Sequence, residues 1–558
     1  MMTNVWRRGL KTLSSYPRPS GSSVKQFVEE QATELEELWS SPRFKGITRP
    51  YTPLDVVRHR GSLGTVGYAS SIQAERLYDL LEDKFRKREA VSTLGVIDPV
   101  QMTQLARCEG IQAAYVSGWA CSSTMVGSTN EVSPDFGDYP YDTVPNQVER
   151  IFRAQQMHDR KAFLADGVEG RASVDYLKPI IADGDMGHGG STTVMKLAKL
   201  FAEKGAAAIH LEDQMHGGKR CGHLGGAVLA PTYVHISRLI ATRLQWDIMG
   251  TQNLLIARTD SANAKLIASS SDPRDHEFIL GTTQPTDQPW AELVLDMEAA
   301  GCTAQEIAAA ELGWFDERPL LTFDEAVEQQ LSSAAYASYV ARKKELCSQL
   351  GRPYLALREM RQIAEAVAPH KSVNFDWDAP RTREGHHMVR GCMELAIRRT
   401  LAFAPYSDLL WLETKTPDLS QASGFAAAIH RTYPNAKLVY NLSPSFNWTA
   451  HGYDDEQLRT FIPSLAAAGF VLQLVSLAGL HSDALAFWQL ASAFPTDGML
   501  AYVQHVQSPE RRSGCDVLMH QRWSGVDYVD SLGNLVQNGA SSHTRGAGGD
   551  SYTESQFK

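Results

Sequence analysis

A regular cysteine pattern is the first feature that this sequence lacks. The seven cysteines, at positions 108, 121, 221, 302, 347, 392 and 515, are an odd number and include no C-x-x-C pair. Disulfide-rich secreted domains and structural zinc centres both need paired, regularly spaced cysteines. The pattern therefore indicates a reducing compartment and argues against both a disulfide framework and a structural zinc site.

The chain also lacks a long apolar run and an excess of positive charge. No apolar stretch approaches the roughly 20 residues of a membrane span, and the formal net charge is −10. An acidic chain offers no basic surface of the kind that holds nucleic acid. We therefore predict no membrane or nucleic-acid partner and expect a small-molecule ligand.

Acidic residues are absent from the first 28 positions, where five basic residues lie among serine and threonine. An acid-poor amphipathic segment of this kind is typical of a mitochondrial transit peptide, so we predict one at 1–28 and a location in the mitochondrial matrix. A disordered basic tail is the alternative, with a cytoplasmic or peroxisomal (glyoxysomal) protein.

Eight apolar segments alternate with helical stretches along the rest of the chain. Most of them are continuously apolar, as strands buried on both faces must be. Eight such units predict a (β/α)8 barrel of the TIM type, in the α/β class. The predicted strands lie within 113–119, 177–185, 206–213, 253–260, 372–378, 408–414, 437–445 and 471–479.

The segments outside these strands are helical in pattern. The block between Asp260 and Ser372 is too long for an ordinary βα connection. We therefore predict an N-terminal helical region (29–105), a first barrel half (106–264), a helical insertion domain (265–371), a second barrel half (372–482), and C-terminal helices with a flexible or docking tail (483–558).

Polar residues follow most predicted strands, at the end where a TIM barrel builds its active site. Asp183 and Asp185 are two carboxylates two residues apart, which suits an oxygen-liganded cation such as Mg²⁺. Asn441, Ser443 and Ser445 surround a proline-stiffened turn and suit a bound carboxylate. The alternative for both segments is a turn that simply favours these residue types.

The loop KRCGH at 219–223 is the strongest single motif. It places Cys221 beside two cations, Lys219 and Arg220, and near His223. Neighbouring cations lower the pKa of a thiol, which suits a cysteine that moves protons or attacks carbon. A lone cysteine on a buried strand is most often inert packing, but this one lies in a polar, glycine-rich loop, so we predict a catalytic loop at 217–226.

KRCGH closely resembles the K-[KR]-C-G-H signature of isocitrate lyases, and other motifs of that family follow in the same order over nearly the whole chain. They are SGW (117–119), SPDFGDYP (133–140), TVPN (143–146), ADGDMGHGG (182–190), HLEDQ (210–214), IARTDS (256–261), FDWDAPRTREG (375–385), WLET (411–414) and NLSPSFNW (441–448). The chain is identified as similar to this family of the phosphoenolpyruvate mutase superfamily, and its long insertion resembles the eukaryotic members.

The resemblance implies a metal-dependent lyase that cleaves a 2-hydroxy tricarboxylate, by a retro-aldol reaction, into succinate and a 2-oxo acid. The metal would be Mg²⁺, with Mn²⁺ as the alternative. The resemblance also implies a homotetramer with exchanged C-terminal helices.

The family motifs assign roles to individual residues of this chain. Cys221, kept reactive by Lys219, Arg220 and His223, would protonate the succinate carbanion, and Glu413 would lie beside the metal and the oxo-acid product. The metal and its waters would be held by Asp183, Asp185 and Asp135. The substrate would be bound by Ser117, Gly118, Trp119, Gly222, His223, Arg258, Trp411, Asn441, Ser443 and Ser445.

Two departures from the family pattern bear on the substrate. Isocitrate lyases typically read QFITLAG on the last barrel strand, whereas residues 473–479 read QLVSLAG, so that Leu474 replaces Phe and Ser476 replaces Thr. Both changes remove volume and would admit one extra methyl group if they face the oxo-acid end. Methylisocitrate lyases resemble this pattern, with Leu in place of the Phe.

We therefore expect cleavage of 2-methylisocitrate to pyruvate and succinate, in the methylcitrate cycle of propionate catabolism. A pocket discriminates one methyl group by only about 1–3 kcal/mol, so an isocitrate lyase of the glyoxylate cycle is the alternative. A noncatalytic scaffold paralogue is the alternative from another class, and the intact motif residues argue against it.

Overall fold

A computed structural model of the chain describes residues 22–62, 64–126, 131–170, 174–539 and 552–557. Most of the predicted transit peptide, and the predicted tail before residue 552, lie outside these ranges.

Eight parallel strands, each paired with the next, form a single sheet. The last strand returns to the first through parallel bridges that join Val91 to Leu472 and Leu94 to Val475. The sheet is therefore a closed barrel, and the predicted (β/α)8 fold is confirmed. The strands are β1 (Thr93–Gly95), β2 (Ala113–Val116), β3 (Ile180–Asp183), β4 (Ala208–Glu212), β5 (Leu254–Thr259), β6 (Leu409–Leu412), β7 (Lys437–Asn441) and β8 (Phe470–Leu474).

One of the eight predicted strands is wrong. Segment 372–378 forms no barrel strand, and Asp376 makes only an isolated antiparallel bridge to Thr282. The missing strand is β1, which lies within the segment predicted as N-terminal helical. Three residues give too short an apolar run to be noticed, and β1 includes a glycine for steric reasons. A Cβ at Gly95 would lie 2.0 Å from the backbone oxygen of Ser476, so the barrel closes only where a side chain is absent.

Alternation along the strands builds two hydrophobic layers, because successive side chains point to opposite faces of a sheet. Tyr115, Ile181, Ile256 and Trp411 belong to the cluster inside the barrel, which Leu77 and neighbouring residues of the third helix close at one end. The residues between them along each strand pack outward against the surrounding helices.

Helices occupy most of the remaining chain. They are α1 (Ser22–Trp39), α2 (Pro53–Arg58), α3 (Ala69–Lys87), α4 (Pro99–Arg107), α5 (Gly118–Thr124), α6 (Thr143–Glu169), α7 (Ser191–Lys204), α8 (Thr232–Met249), α9 (Trp290–Ala299), α10 (Ala304–Glu317), α11 (Phe323–Gln330), α12 (Ser333–Leu350), α13 (Leu357–Val367), α14 (Met393–Phe403), α15 (Leu419–His430), α16 (Asp455–Ala468), α17 (Ala478–Asp497), α18 (Met499–Tyr502), α19 (Ser508–Ser513), α20 (His520–Ser524), α21 (Val526–Val536) and α22 (Tyr552–Gln556).

The chain between β5 and α14 carries α9 to α13 and has hydrophobic clusters of its own, one of them built on Phe323, Tyr339 and Met360. Two-residue strands frame this segment: Val228–Leu229, Leu266–Ile267 and His387–Met388 form a small sheet, and Gly281–Thr282 pairs with Leu320–Leu321. Arg399 of α14 links this segment to the barrel, because it pairs with both Asp275 of the segment and Asp213 next to β4.

The helices after β8 expose an unusual amount of apolar surface. Phe487 and Trp488 of α17 are 69% and 70% exposed. None of the helices in the described ranges is both long enough and apolar enough to cross a membrane.

Candidate active site

A cavity of about 290 Å³ opens at the C-terminal ends of the barrel strands, a volume suited to a small polar metabolite. A larger groove of about 960 Å³ lies at the opposite end of the barrel and contains none of the predicted site residues. The 290 Å³ cavity is lined by thirteen of the predicted residues, Ser117, Trp119, Asp135, Asp183, Cys221, His223, Arg258, Trp411, Glu413, Asn441, Ser443, Ser445 and Ser476, and by Tyr115, Pro444, Leu477 and His481.

Four buried carboxylates surround the ammonium group of Lys219. Its Nζ contacts Asp135 and lies 2.7 Å from Oδ1 of Asp185 and 3.9 Å from Oε1 of Glu212. Asp183 is held next to this group, because its Oδ1 accepts the backbone N–H of Asp185 at 3.0 Å. The structure thus brings the three predicted metal ligands together, and it adds Glu212 to them.

The turn after β3 is held in an unfavourable backbone conformation. Asp185 and His188 have φ values of 47° and 55°, in the left-handed region that costs energy for residues other than glycine. Tyr139 donates a hydrogen bond to Asp185, and Nε2 of His188 lies 3.3 Å from Oδ2 of the same carboxylate. Strain of this kind persists only where surrounding contacts fix it, which is common at functional sites.

The carboxylates titrate differently because their surroundings differ. Burial raises the pKa of Asp183 and of Glu212, and it raises the pKa of Asp135 to about 6 despite the opposing effect of Lys219. Burial acts on Asp185 too, but Lys219 and His188 outweigh it and lower its pKa. One ammonium group therefore does not neutralise the cluster.

The donor set fits an oxygen-liganded cation. Oε1 of Glu212 is buried and has no hydrogen-bond partner among the described residues. Within those residues, no three His, Cys, Asp or Glu side chains already form a complete coordination group; the Lys219 ammonium lies among the carboxylates instead. Several buried carboxylates around one ammonium group, and a carboxylate oxygen without a hydrogen-bond partner, are features that a hard divalent cation would satisfy.

A second charged group centres on Arg258 at the end of β5. Its Nε donates to Oδ1 of Asp260 at 3.0 Å and lies 3.4 Å from Oε2 of Glu212. Its Nη2 lies 3.8 Å from Oε1 of Glu413. Arg258 therefore lies between the carboxylates around Lys219 and the wall of the cavity formed by β6 and β7.

Glu413 is a buried carboxylate with neutral donors on one side. Nε1 of Trp411 donates to it at 3.1 Å and Nδ2 of Asn441 at 3.3 Å. Burial raises its pKa to about 7, although Arg258 and these donors act in the opposite direction. Glu413 thus changes charge near physiological pH.

Cys221 does not have the lowered pKa that its neighbours in sequence predict. Burial raises the pKa of the thiol to about 11. Lys219 points into the carboxylate cluster, and the guanidinium of Arg220 lies over the ring of Phe136, 4.3 Å from its centroid. Neither cation is directed at the thiol, so Cys221 is protonated at neutral pH, which is the form that a proton donor requires.

Gly222 and His223 bring the loop into close contact with Glu413 and Arg258. A Cβ at Gly222 would lie 2.8 Å from Cγ of Glu413 and 3.0 Å from Nη2 of Arg258, so only glycine allows this approach. Nδ1 of His223 lies 3.7 Å from Oε1 of Glu413. Burial and Arg258 lower the pKa of His223, which makes it a neutral imidazole at pH 7.

Comparison with known proteins places this site in a family. A sequence profile of the isocitrate lyase family matches residues 31–557. The chain belongs to the isocitrate lyase family. It is 62% identical to the mitochondrial 2-methylisocitrate lyase of Saccharomyces cerevisiae over 539 residues, which is 96% of this chain and 94% of that protein.

Two further relatives in this family help to define the comparison. The mitochondrial 2-methylisocitrate lyase of Hypocrea atroviridis is 50% identical over 544 residues, with 96% of each chain covered. The isocitrate lyase of Saccharomyces cerevisiae is 42% identical over 557 residues, covering 97% of this chain and 99% of that one.

The two residues predicted to set the substrate of this isocitrate lyase family member lie at different depths. Ser476 lines the cavity. Leu474 is fully buried inside the barrel, in the same cluster as Tyr115 and Trp411, both of which do line the cavity. Leu474 therefore does not line the cavity, and it lies in the hydrophobic layer inside the barrel to which Tyr115 and Trp411 also belong.

Gly118, another predicted substrate-binding residue, is not among the residues that line the cavity, and its backbone N–H donates to Oδ2 of Asp183 at 3.0 Å.

Sequence reasoning assigned no role to Tyr115 and His210, which the structure places in the site. The Tyr115 hydroxyl lies 2.9 Å from Nε2 of His210 and donates to Oδ2 of Asp183 at 3.3 Å. Both residues point inward from predicted strands, β2 and β4, so tracing the inward face along each strand would have found them.

Proposed function

We propose that this member of the isocitrate lyase family cleaves 2-methylisocitrate into pyruvate and succinate. The observation that carries the substrate is the higher identity to the two relatives named 2-methylisocitrate lyase, 62% and 50%, than to the yeast isocitrate lyase, 42%. Leu474 at the end of β8 and Ser476 just after it, which are smaller than the Phe and Thr typical of isocitrate lyases, agree with it. Isocitrate is the second candidate substrate, because discrimination of one methyl group is limited.

The reaction is a retro-aldol cleavage in which Cys221 supplies a proton. A base removes the hydroxyl proton, and the bond between the hydroxyl-bearing carbon and the CH carbon of the succinyl half breaks. The hydroxyl-bearing carbon becomes the carbonyl carbon of pyruvate. The electron pair of the broken bond remains on the succinyl fragment, and the Cys221 thiol donates its proton to the carbon of that fragment which was in the broken bond. The raised pKa of the thiol, about 11, keeps this proton available at neutral pH.

Arg258 and the polar residues of the wall formed by β6 and β7 would hold the substrate carboxylates. Arg258 is the buried cation at the end of β5, beside the wall formed by β6 and β7, and its charge would stabilise the enediolate of the succinyl half. Asn441, Ser443 and Ser445 add neutral donors that bind a carboxylate without neutralising Glu413. Ser117, Trp119 and the neutral His223 complete the enclosure.

A divalent cation, proposed to be Mg²⁺ with Mn²⁺ as the alternative, would be held by Asp183, Asp185 and Asp135, directly or through water. The nearby buried Oε1 of Glu212, which has no hydrogen-bond partner among the described residues, supports this assignment. When bound, the metal would polarise the substrate hydroxyl and the incipient carbonyl. Lys219 would then keep the remaining carboxylate charge balanced.

We further propose a homotetramer in the mitochondrial matrix, with the C-terminal helices exchanged between subunits. The exposed Phe487 and Trp488 of α17 support a buried subunit contact, since large apolar patches mark such surfaces. The names of the two mitochondrial relatives support the location. Light scattering of the purified protein should give the mass of four chains, and a monomer would contradict the exchange.

Identification of the products tests the proposed reaction. Purified protein with 2-methylisocitrate and Mg²⁺ should release pyruvate and succinate in equal amounts, observed by NMR. Removal of divalent metal with EDTA should stop the release, and added Mg²⁺ should restore it. If neither 2-methylisocitrate nor isocitrate is cleaved, the noncatalytic alternative is favoured.

A further inference from the structure

The side chain of Gln214, which follows β4, holds the backbone of the catalytic loop. Gln214 is fully buried. Its Oε1 accepts the backbone N–H of Arg220 at 2.8 Å, and its Nε2 donates to the backbone oxygen of Arg220, also at 2.8 Å. The same Nε2 donates to Oδ2 of Asp260 at 2.5 Å. The amide thus grips the residue that immediately precedes Cys221.

Its partners fix the orientation of this amide. The N–H of Arg220 needs an acceptor, whereas the carbonyl of Arg220 and the carboxylate of Asp260 need donors. Only one of the two amide orientations satisfies all three, and both N–H bonds of the amide are then used. The Gln214 backbone is anchored as well, because Nη1 of Arg238 donates to its carbonyl at 2.7 Å.

The loop itself is hinged at both ends and so needs such a support. Gly217 and Gly226 have φ values of 83° and 88°, a conformation open to glycine and costly for other residues. Arg220 lies between these hinges, and its own side chain is directed outward onto Phe136. The backbone contact with Gln214 is therefore a point where the barrel determines the position of the loop.

The other end of the bridge reaches the substrate-binding wall. Asp260 accepts from Gln214 through Oδ2 and from Nε of Arg258 through Oδ1. Gln214, Asp260 and Arg258 therefore form a continuous polar chain from the Cys221 loop to the cation proposed to bind a substrate carboxylate.

We propose that Gln214 is a positioning residue that sets the distance between the Cys221 thiol and the substrate held by Arg258. The inference rests on the proposed function for its claim that this geometry serves cleavage. The hydrogen bonds between the Gln214 side chain and the Arg220 backbone, called the clamp below, are observed in the structure whatever the substrate is. A buried glutamine that merely satisfies the core would, in contrast, contribute to stability without affecting the loop.

Replacement of Gln214 by Met tests the proposal, since Met keeps the length of the side chain and removes all three hydrogen bonds. We expect kcat to fall about 30- to 100-fold, because misplacement of a reacting group by about 1 Å has effects of this size. KM should change less than threefold, since Arg258, Asn441 and Ser443 remain.

Alkylation of Cys221 by iodoacetamide supplies a readout that a structural role would not change. The rate at Cys221, measured by peptide mass spectrometry relative to the exposed Cys108 in the same sample, should rise about tenfold in Gln214→Met as the loop is released. This measurement needs no turnover, so it still tests the clamp if the proposed substrate is wrong.

Gln155→Met is the matched control. Gln155 is also buried, and its Nε2 donates to the backbone oxygen of Lys178 at 2.8 Å, remote from the loop in sequence and in the fold. It should lose thermal stability but keep kcat and the Cys221 alkylation rate. If Gln214→Met does not fold, Gln214→Glu is measured in its place, because it preserves shape and polarity but removes both donors.

A fall in kcat together with faster Cys221 alkylation, absent from the control, supports the clamp. Unchanged kcat in a folded Gln214 variant overturns it. A fall in kcat with an unchanged Cys221 alkylation rate also overturns it, because the effect would then not pass through the loop.

Discussion

At the scale of single residues, Cys221 shows how far side-chain direction can separate sequence neighbours. Two cations precede it, yet one turns inward to the carboxylates and the other outward to an aromatic ring. The thiol is left in a partly buried position, and burial raises its pKa to about 11. A nucleophile would need the opposite shift, so the structure favours the proton-donor role over attack on carbon.

Replacement of the donor is the first prediction. Cys221→Ser should lower kcat by at least about 100-fold, because a hydroxyl is a much weaker acid than a thiol and general acid catalysis contributes effects of this size. KM should change little, since Cys221 binds no substrate carboxylate. Steady-state kinetics at saturating metal measure both constants, and full activity in the variant would remove the donor role.

The pH dependence is the second prediction and concerns Glu413. Its pKa of about 7 means that acid removes the charge facing Arg258, so kcat/KM should fall below about pH 7. Burial holds the thiol of Cys221 protonated to about pH 11, so its ionisation should cause no loss up to about pH 10. Glu413→Gln should remove the acidic limb, and a limb that persists in this variant would assign it to another group.

The same ionisation of Glu413 affects stability with a defined sign. Burial raises its pKa in the folded protein from the ordinary value of 4.5 to about 7. Between these values the folded protein keeps a proton that the unfolded chain has lost. The contribution to the free energy of unfolding is therefore complete below about pH 4.5 and is lost as the pH rises through about 7.

At the scale of secondary-structure elements, β8 closes the barrel and leads directly into the cavity wall. It pairs with the short β1, where Gly95 allows the backbone oxygen of Ser476 to approach. Ser476 then faces the cavity, while Leu474 is buried inside the barrel, in the same hydrophobic cluster as Tyr115 and Trp411. The two positions thus differ in depth, since Ser476 lines the cavity and Leu474 lies beneath its lining.

The third prediction follows from this strand. Leu474→Phe combined with Ser476→Thr should shift the ratio of kcat/KM values toward isocitrate by about tenfold, the usual effect of one methyl group in a pocket. Leu472→Phe is the control, since Leu472 is on the same strand and in the same cluster. It should reduce stability through overpacking without changing the ratio, and an unchanged ratio in the double variant would move the specificity pocket elsewhere.

A second element-level contact joins the barrel to the segment inserted after β5. Arg399 of α14 lies 3.1 Å from Oδ2 of Asp213, next to β4, and 2.9 Å from Oδ1 of Asp275 in the inserted segment. All three side chains are almost completely buried. Both carboxylates depend on this one guanidinium for part of their charge balance.

The fourth prediction is that Arg399→Met destabilises the protein by about 3–5 kcal/mol, the cost of leaving buried carboxylates without their cation. Chemical denaturation followed by fluorescence measures the change. Arg459→Met is the control, because Arg459 pairs with Glu456 at an exposed site and such pairs contribute little. If the Arg399→Met variant unfolds with the same midpoint denaturant concentration as the wild type, the prediction is contradicted.

At the scale of the whole molecule, local signals predicted most of the fold and less of the site. Seven of the eight barrel strands were found because their apolar runs are continuous. Segment 372–378, SVNFDWD, instead alternates polar with apolar residues, and its Phe375 and Trp377 pack in the inserted segment. This alternation is the local property that distinguishes it from the continuously apolar barrel strands. Phe375 packs in the hydrophobic cluster of the inserted segment, against residues that are distant from it in sequence.

Residue types at the site could be predicted, but their electrostatics could not. The three aspartates do converge, as motif order implies. The depressed pKa of Asp185, the raised pKa of Asp135 and the protonated thiol of Cys221 all depend on burial and on where Lys219 points. Those are properties of the folded chain, and the role of Gln214 is another.

The central claim is the choice of substrate, and the ratio of kcat/KM for 2-methylisocitrate to kcat/KM for isocitrate tests it most directly. Both values should be measured on one preparation of the purified protein at saturating Mg²⁺. We predict a preference for 2-methylisocitrate of about 10- to 100-fold, the range that accommodation of one methyl group provides. A higher kcat/KM for isocitrate would contradict the account.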